Sequence, residues 1–90
     1  MCRNIHTLFN FDPEATDEEV RGAALQYVRK ISGFTNPSRA NEPAFERAVD
    51  AVARASSELL DALVTSAPAR NREAEAAKAR ARAAQRYAAA

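Results

Sequence analysis

The residues best equipped for chemistry lie near the amino end: Cys2, His6, Asp12 and Glu14. Cys2 is the chain's single thiol and stands beside Arg3. Nearby cations favour the thiolate, and removal of the initiator Met would add an α-ammonium. Cys2 is therefore a candidate reactive thiol, able to serve as nucleophile, redox sensor or metal anchor. The plainer reading is an ordinary Cys on a mobile end. His6 follows four residues later, a spacing that puts both on one face of a helical turn. Zinc takes three or four ligands, however, and the chain has no second Cys or His. Asp12 or Glu14 would have to complete such a site, so no metal and no cofactor is expected. A Cys–His pair for acyl transfer also needs an orienting group and an oxyanion site. The sequence marks neither, and no catalytic residue is assigned. The chain is expected not to be an enzyme.

Two other groups suit binding. In "RKISGFTNPSRAN", Arg29, Lys30, Arg39 and Asn41 gather before the amide end of a helix, where an anion or a partner's acid would be welcome. That loop lacks the glycines that let a backbone wrap a phosphate. Lys78, Arg82 and Arg86 recur every four residues and so form a basic face on one side of a helix. Such a stripe can track nucleic-acid phosphates weakly and without sequence preference. Otherwise it is a solubilising surface.

Helical elements must position these residues. Thr16-Asp17-Glu18-Glu19 has the capping-box pattern, followed by an apolar stripe through Val20, Ala23, Ala24, Tyr27, Val28 and Ile31. Arg29 and Lys30 suit its last turn, and Gly33 is placed to close it in the left-handed conformation, with Phe34 folding back near Val28. A second helix is predicted from residues 41–43 to about 65, with Phe45, Val49, Val52, Ser56, Leu59, Leu60 and Leu63 on one face. Asp50–Arg54 and Arg54–Glu58 have the spacing of ion pairs along it. The third helical segment, residues 71 to about 88, is rich in Ala and has little area to bury. Two antiparallel helices leave one apolar face wet. Ile5, Leu8, Phe9 and Phe11 are expected to cover it.

The expected fold class is therefore all-α: a small helical hairpin closed by an N-terminal apolar segment, plus an Ala/Arg-rich C-terminal helix. Residues 1–67 are read as one helical domain and 68–90 as a basic helical extension. Ninety residues with a net charge of +1 suit a single domain. The charge is divided, −3 over residues 1–69 and +4 over residues 70–90, so the tail can meet an acidic partner or its own acidic body. A lone Cys makes no internal disulfide, and neither a signal peptide nor a membrane-spanning run is apparent. A soluble, cytoplasmic protein is expected.

"MCRNI", "TLFNF", "ATDEEVRGAALQYVRKISGFTNPSRAN" and "FERAVDAV" together resemble a family of small bacterial proteins of unknown function that open with MCRNI. The resemblance covers about residues 1–66 and implies no catalytic residue. The helix order also looks like that of a J-domain co-chaperone, but "SGFTNPSRAN" lacks the His-Pro-Asp on which such domains depend. That likeness implies a helical hairpin without Hsp70 stimulation. The function expected is a non-catalytic helical module with an unknown protein partner. Weak nucleic-acid binding and thiol or metal chemistry at Cys2 are alternatives. Self-association is possible through Leu59, Leu60 and Leu63, and no membrane partner is expected.

Overall fold

A computed structural model describes residues 4–89; Cys2 and its neighbour Arg3 lie outside the described residues. The chain forms helices α1 (Asp17–Ser32), α2 (Glu42–Ala62) and α3 (Arg72–Ala89). A short 3-10 turn, Arg39–Asn41, precedes α2. Two-residue strands β1 (Phe11–Asp12) and β2 (Arg70–Asn71) pair in parallel, Phe11 opposite Arg70 and Asp12 opposite Asn71. The fold is predominantly helical, as the periodicity implies. The small sheet has no signature in sequence, because two residues are too few to alternate.

Local chemistry sets the bounds of α1. The Thr16 hydroxyl accepts from the Glu19 amide at 3.2 Å, and the Thr16 amide donates to Glu19 Oε1 at 3.0 Å. Both halves of the capping box are made. At the other end Gly33 takes φ 79°, ψ 2°, and its amide donates to the Arg29 carbonyl at 2.9 Å. A side chain there would be strained. Phe34 departs from expectation: it remains 40% exposed, its amide turned to the Ser32 hydroxyl.

α1 and α2 pack as an antiparallel hairpin around Val20, Ala24, Val28, Phe45 and Val49, the buried apolar residues among those described. Leu25, Ala48, Val52 and Ala53 pack partly buried against this core. Across the hairpin, Arg21 donates to Asp50 at 2.7 Å and Glu46 at 3.3 Å. Among the described residues Asp50 thus pairs with α1 and not with Arg54. All three of these side chains are more than half exposed, so the pairs orient the helices more than they stabilise them.

α2 ends earlier than its apolar pattern does. Leu63 is already extended (φ −68°, ψ 140°), although its amide still reaches the Leu59 carbonyl at 3.0 Å. The chain leaves the helix here to bring residues 67–72 beside the N-terminal segment. Asn10, at φ 63°, makes the matching turn, in a conformation that Asn tolerates better than most residues. Its side-chain amide donates to the Pro68 carbonyl at 3.1 Å, and its own carbonyl accepts from the Arg70 amide at 2.8 Å.

α3 projects from this body. The radius of gyration is 16.2 Å, against about 12 Å for a compact chain of this length. The molecule is flat, 46 × 39 × 15 Å. Beyond its first turn α3 is exposed apart from a half-buried Ala83, and Tyr87 is 83% exposed.

With so few buried residues, each matters. Phe45→Ala should cost about 3 kcal/mol, a large share of the stability of a small domain. Leu59→Ala, at a site 57% exposed, should shift stability by less than about 0.5 kcal/mol. Urea unfolding followed by circular dichroism measures both.

Candidate functional site

The structure concentrates its polar organisation around Glu19, at the junction of α1, the N-terminal segment and the root of α3. The Glu19 carboxylate receives Arg72 as a fork: Nη2 donates to Oε1 at 2.9 Å and Nη1 to Oε2 at 3.0 Å. Arg72 Nε donates to the Pro13 carbonyl at 2.6 Å. All three guanidinium nitrogens are therefore committed. Oε1 also accepts the Thr16 amide and hydroxyl, at 3.0 and 3.3 Å. The carboxylate that caps α1 thus holds the first residue of α3.

Phe11 lies beneath this network. The guanidinium carbons of Arg70 and Arg72 stand 4.9 and 5.6 Å from its ring centre, within the range of cation–π attraction. Arg70 also donates to the Phe9 carbonyl at 3.4 Å. Asn71 caps α3, its side-chain oxygen accepting from the Ala74 amide at 2.9 Å. A cation at a helix N-terminus ordinarily opposes the dipole. Here Glu19 opposite, with Glu73 and Glu75 in the first turn, compensates Arg72.

The electrostatics follow from these contacts. The Arg72 hydrogen bonds, then the Thr16 amide, hold the Glu19 carboxyl at about 2 against an ordinary 4.5. Arg72 is raised in turn by its bonds to Glu19.

Next to this latch is an open cleft of about 530 Å³. Leu8, Phe9 and Phe11 form one wall, and Val20, Leu60, Leu63 and Val64 another; Glu14, Asp17 and Asp61 supply carboxylates. The N-terminal residues therefore cover the hairpin as expected, but only in part. Leu8, Phe9 and Phe11 are half-buried, whereas Ile5 is 42% exposed. Val64 at the cleft is 92% exposed.

The residues singled out from sequence fall in three places. Arg29 Nε donates to the Thr35 carbonyl at 3.0 Å, and the Asn41 side chain donates to the Ser38 hydroxyl at 2.8 Å. These two serve their own loop. Lys30 and Arg39 are exposed beside it. On α3, Lys78 lies 3.6 Å from Glu75, while Arg82 and Arg86 share a shallow groove with Ala79 and Gln85. Cys2 lies outside the described residues. His6 is exposed, its Nδ1 at 3.0 Å from the Thr7 carbonyl. Among the described residues no group of three or more His, Cys, Asp or Glu is arranged to hold a metal. Nor is any helix long and apolar enough to cross a membrane.

Arg70 and Arg72 are the residues that sequence reasoning missed, having counted them only as tail charge. Their available signal was Asn71, a cap residue set between two arginines and followed by two acids. It points to a helix start, though not to the carboxylate that receives Arg72.

A model of an uncharacterised conserved protein family, DUF2277, matches residues 1–78. The chain belongs to that family. The match extends beyond the hairpin to include Arg72 and Lys78, further than the resemblance to residue 66. No curated protein and no solved structure matches the chain significantly.

Two consequences of the latch are measurable. A carboxylate with a depressed pKa contributes stability above its unfolded value. That contribution is lost as pH falls from about 4.5 toward 2. Thermal unfolding temperature should drop over that window in the parent and drop less in Glu19→Gln. Amide exchange near residues 70–74 should quicken in Glu19→Gln at neutral pH, while residues 45–49 keep their protection.

Proposed function

We propose that this protein is a non-catalytic interaction module acting in the bacterial cytoplasm, and that its contact surface is the cleft end of the hairpin together with α3. The observation that carries the reading is an exposed apolar group, Leu59, Leu63 and Val64, beside a cleft with carboxylates. Exposed apolar clusters edged by polar groups mark contact sites. α3 supports the same reading. It is anchored through its first turn and gains little from the body along the rest of its length. The single Cys fits a reducing compartment, and the family resemblance fits a bacterial source.

A second reading has its own observation. Arg80, Arg82 and Arg86 make no ion pair among the described residues, leaving one helix with free cations for a phosphate backbone. Such binding would be weak and indifferent to sequence, and would fall steeply with salt.

One comparison tests the first reading. The tagged chain is crosslinked and recovered from its native cells beside Leu59→Glu/Val64→Glu. The reading expects specific proteins with the parent and their loss with the variant. The same set from both, or none from either, overturns it. Fluorescence anisotropy with short DNA and RNA measures the second reading. It expects an affinity that falls as salt rises and is lost in Arg82→Glu/Arg86→Glu.

A further inference from the structure

We propose that the cleft takes α3 of a second copy of this chain, and that the exchange is reciprocal, giving a two-fold dimer. This rests on the interaction reading above and names its partner.

The two surfaces are complementary. The cleft presents Glu14, Asp17 and Asp61 among the apolar side chains that line it. All three acids are exposed, and none is in an ion pair among the described residues. Asp61 is out of place within its own chain. It occupies the last turn of α2, which has no basic residue, and a carboxylate at a helix C-terminus opposes the dipole. A guanidinium from outside would relieve that opposition and form a charge-assisted hydrogen bond.

α3 supplies such groups. Arg80, Arg82 and Arg86 are exposed and unpaired among the described residues. Ala76, Ala79 and Ala83 continue from Arg72 at spacings of four, three and four residues, one face of a helix. Ala76 and Ala79 turn toward the chain's own N-terminal segment, lining an open hollow with His6, Thr7 and Leu8, and Arg80 lies off that face.

The latch decides between self and second copy. Arg72 is fixed to Glu19 and Pro13, which sets where α3 begins. No α3 residue lines its own chain's cleft. Residues 80–86 stand roughly 12–21 Å along the helix from that anchor. Under a two-fold axis, two antiparallel α3 helices place the far end of each beside the root of the other. The cleft adjoins that root through Phe11 and Ala69. The distal arginines of one copy then meet the acids of its partner.

Sedimentation equilibrium of the full chain across a concentration series, at low and high salt, tests this. A monomer–dimer equilibrium that weakens with salt is expected. Arg82→Glu/Arg86→Glu and, separately, Glu14→Arg/Asp61→Arg should each weaken it by at least about tenfold. Mixing the two reversed chains should restore a dimer, which also shows that both are folded. Asp17 is left intact because it supports the start of α1. A monomer at every concentration, a dimer indifferent to both reversals, or a mixture that stays monomeric overturns the proposal. A monomer that still retains another protein through Leu59 and Val64 overturns self-docking alone and leaves the interaction reading standing. A monomer whose α3 binds DNA or RNA gives the helix a different occupant and also overturns it.

Discussion

Glu19 satisfies the start of one helix and holds the start of another. Capping boxes usually complete a local turn. In this chain the capping carboxylate also accepts a guanidinium fork from a residue 53 positions later. Arg72 then reaches on to Pro13, so α1, α3 and the segment entering α1 meet at one ion. The geometry distinguishes it from the Arg21 pairs across the hairpin. Glu19 and Arg72 are only about one-third exposed, whereas Arg21, Glu46 and Asp50 are more than half exposed. A bidentate, partly sheltered pair with further hydrogen bonds outweighs isolated surface pairs. β1 and β2 lie within the same knot, which explains how a two-residue ladder persists in a helical protein.

The hairpin is sealed unevenly. Ala24, Val28, Phe45 and Val49 close the half nearer the connecting loop. Toward the other end, the apolar stripe of α2 continues through Leu59, Leu60 and Leu63, with less to cover it. Leu8, Phe9 and Phe11 cross there but spend part of their surface on other duties. Phe11 lies under two arginines, and Asn10 turns the chain toward Pro68. The cleft is the consequence. A chain of this size has few apolar residues to spare, and those assigned to holding α3 cannot also fill the hairpin.

Much of this architecture is legible from local pattern. Thr16 and Glu19 announce their cap, Gly33 its left-handed turn, and the spacing of Val20, Ala24 and Val28 the buried face. Each signal acts within a few residues, where backbone geometry alone fixes the outcome. The contacts that escape notice join distant positions. Asp50 has Arg54 one turn away yet takes Arg21, because packing at Ala24 and Val49 brings α1 within reach. The apolar run to Leu63 overstates α2, since tethers at Asn10 and Arg70 draw the chain out of the helix. Phe34 reads as a helix-closing residue, but its amide turns to Ser32 and the ring remains at the surface. In the candidate site, the basic face of α3 is readable from spacing. The cleft is not, because its walls come from three separated segments.

The remaining question is why α3 continues so far beyond its anchor. Nine of its eighteen residues are Ala, so propensity favours the helix, but forming the first turn of an isolated helix is unfavourable. The latch supplies a nucleus at the amino end and thereby offsets the costliest step of helix formation. Extension past Ala79 then requires only propensity. It leaves Arg80, Arg82 and Arg86 without an ion pair among the described residues, at the expense of the charge neutralisation that a closer approach to the acidic body would give. The family match ends at Lys78, so it includes the latch and stops before these arginines. The anchoring of α3 is accordingly a feature of the matched region, and what the far end contacts is a property to be sought in this chain itself. A helix rooted at its first turn by the Glu19–Arg72 pair and the Asn71 cap is already ordered before any partner arrives. Ordering entropy is therefore a smaller obstacle to its binding than it would be for a disordered basic tail of the same composition.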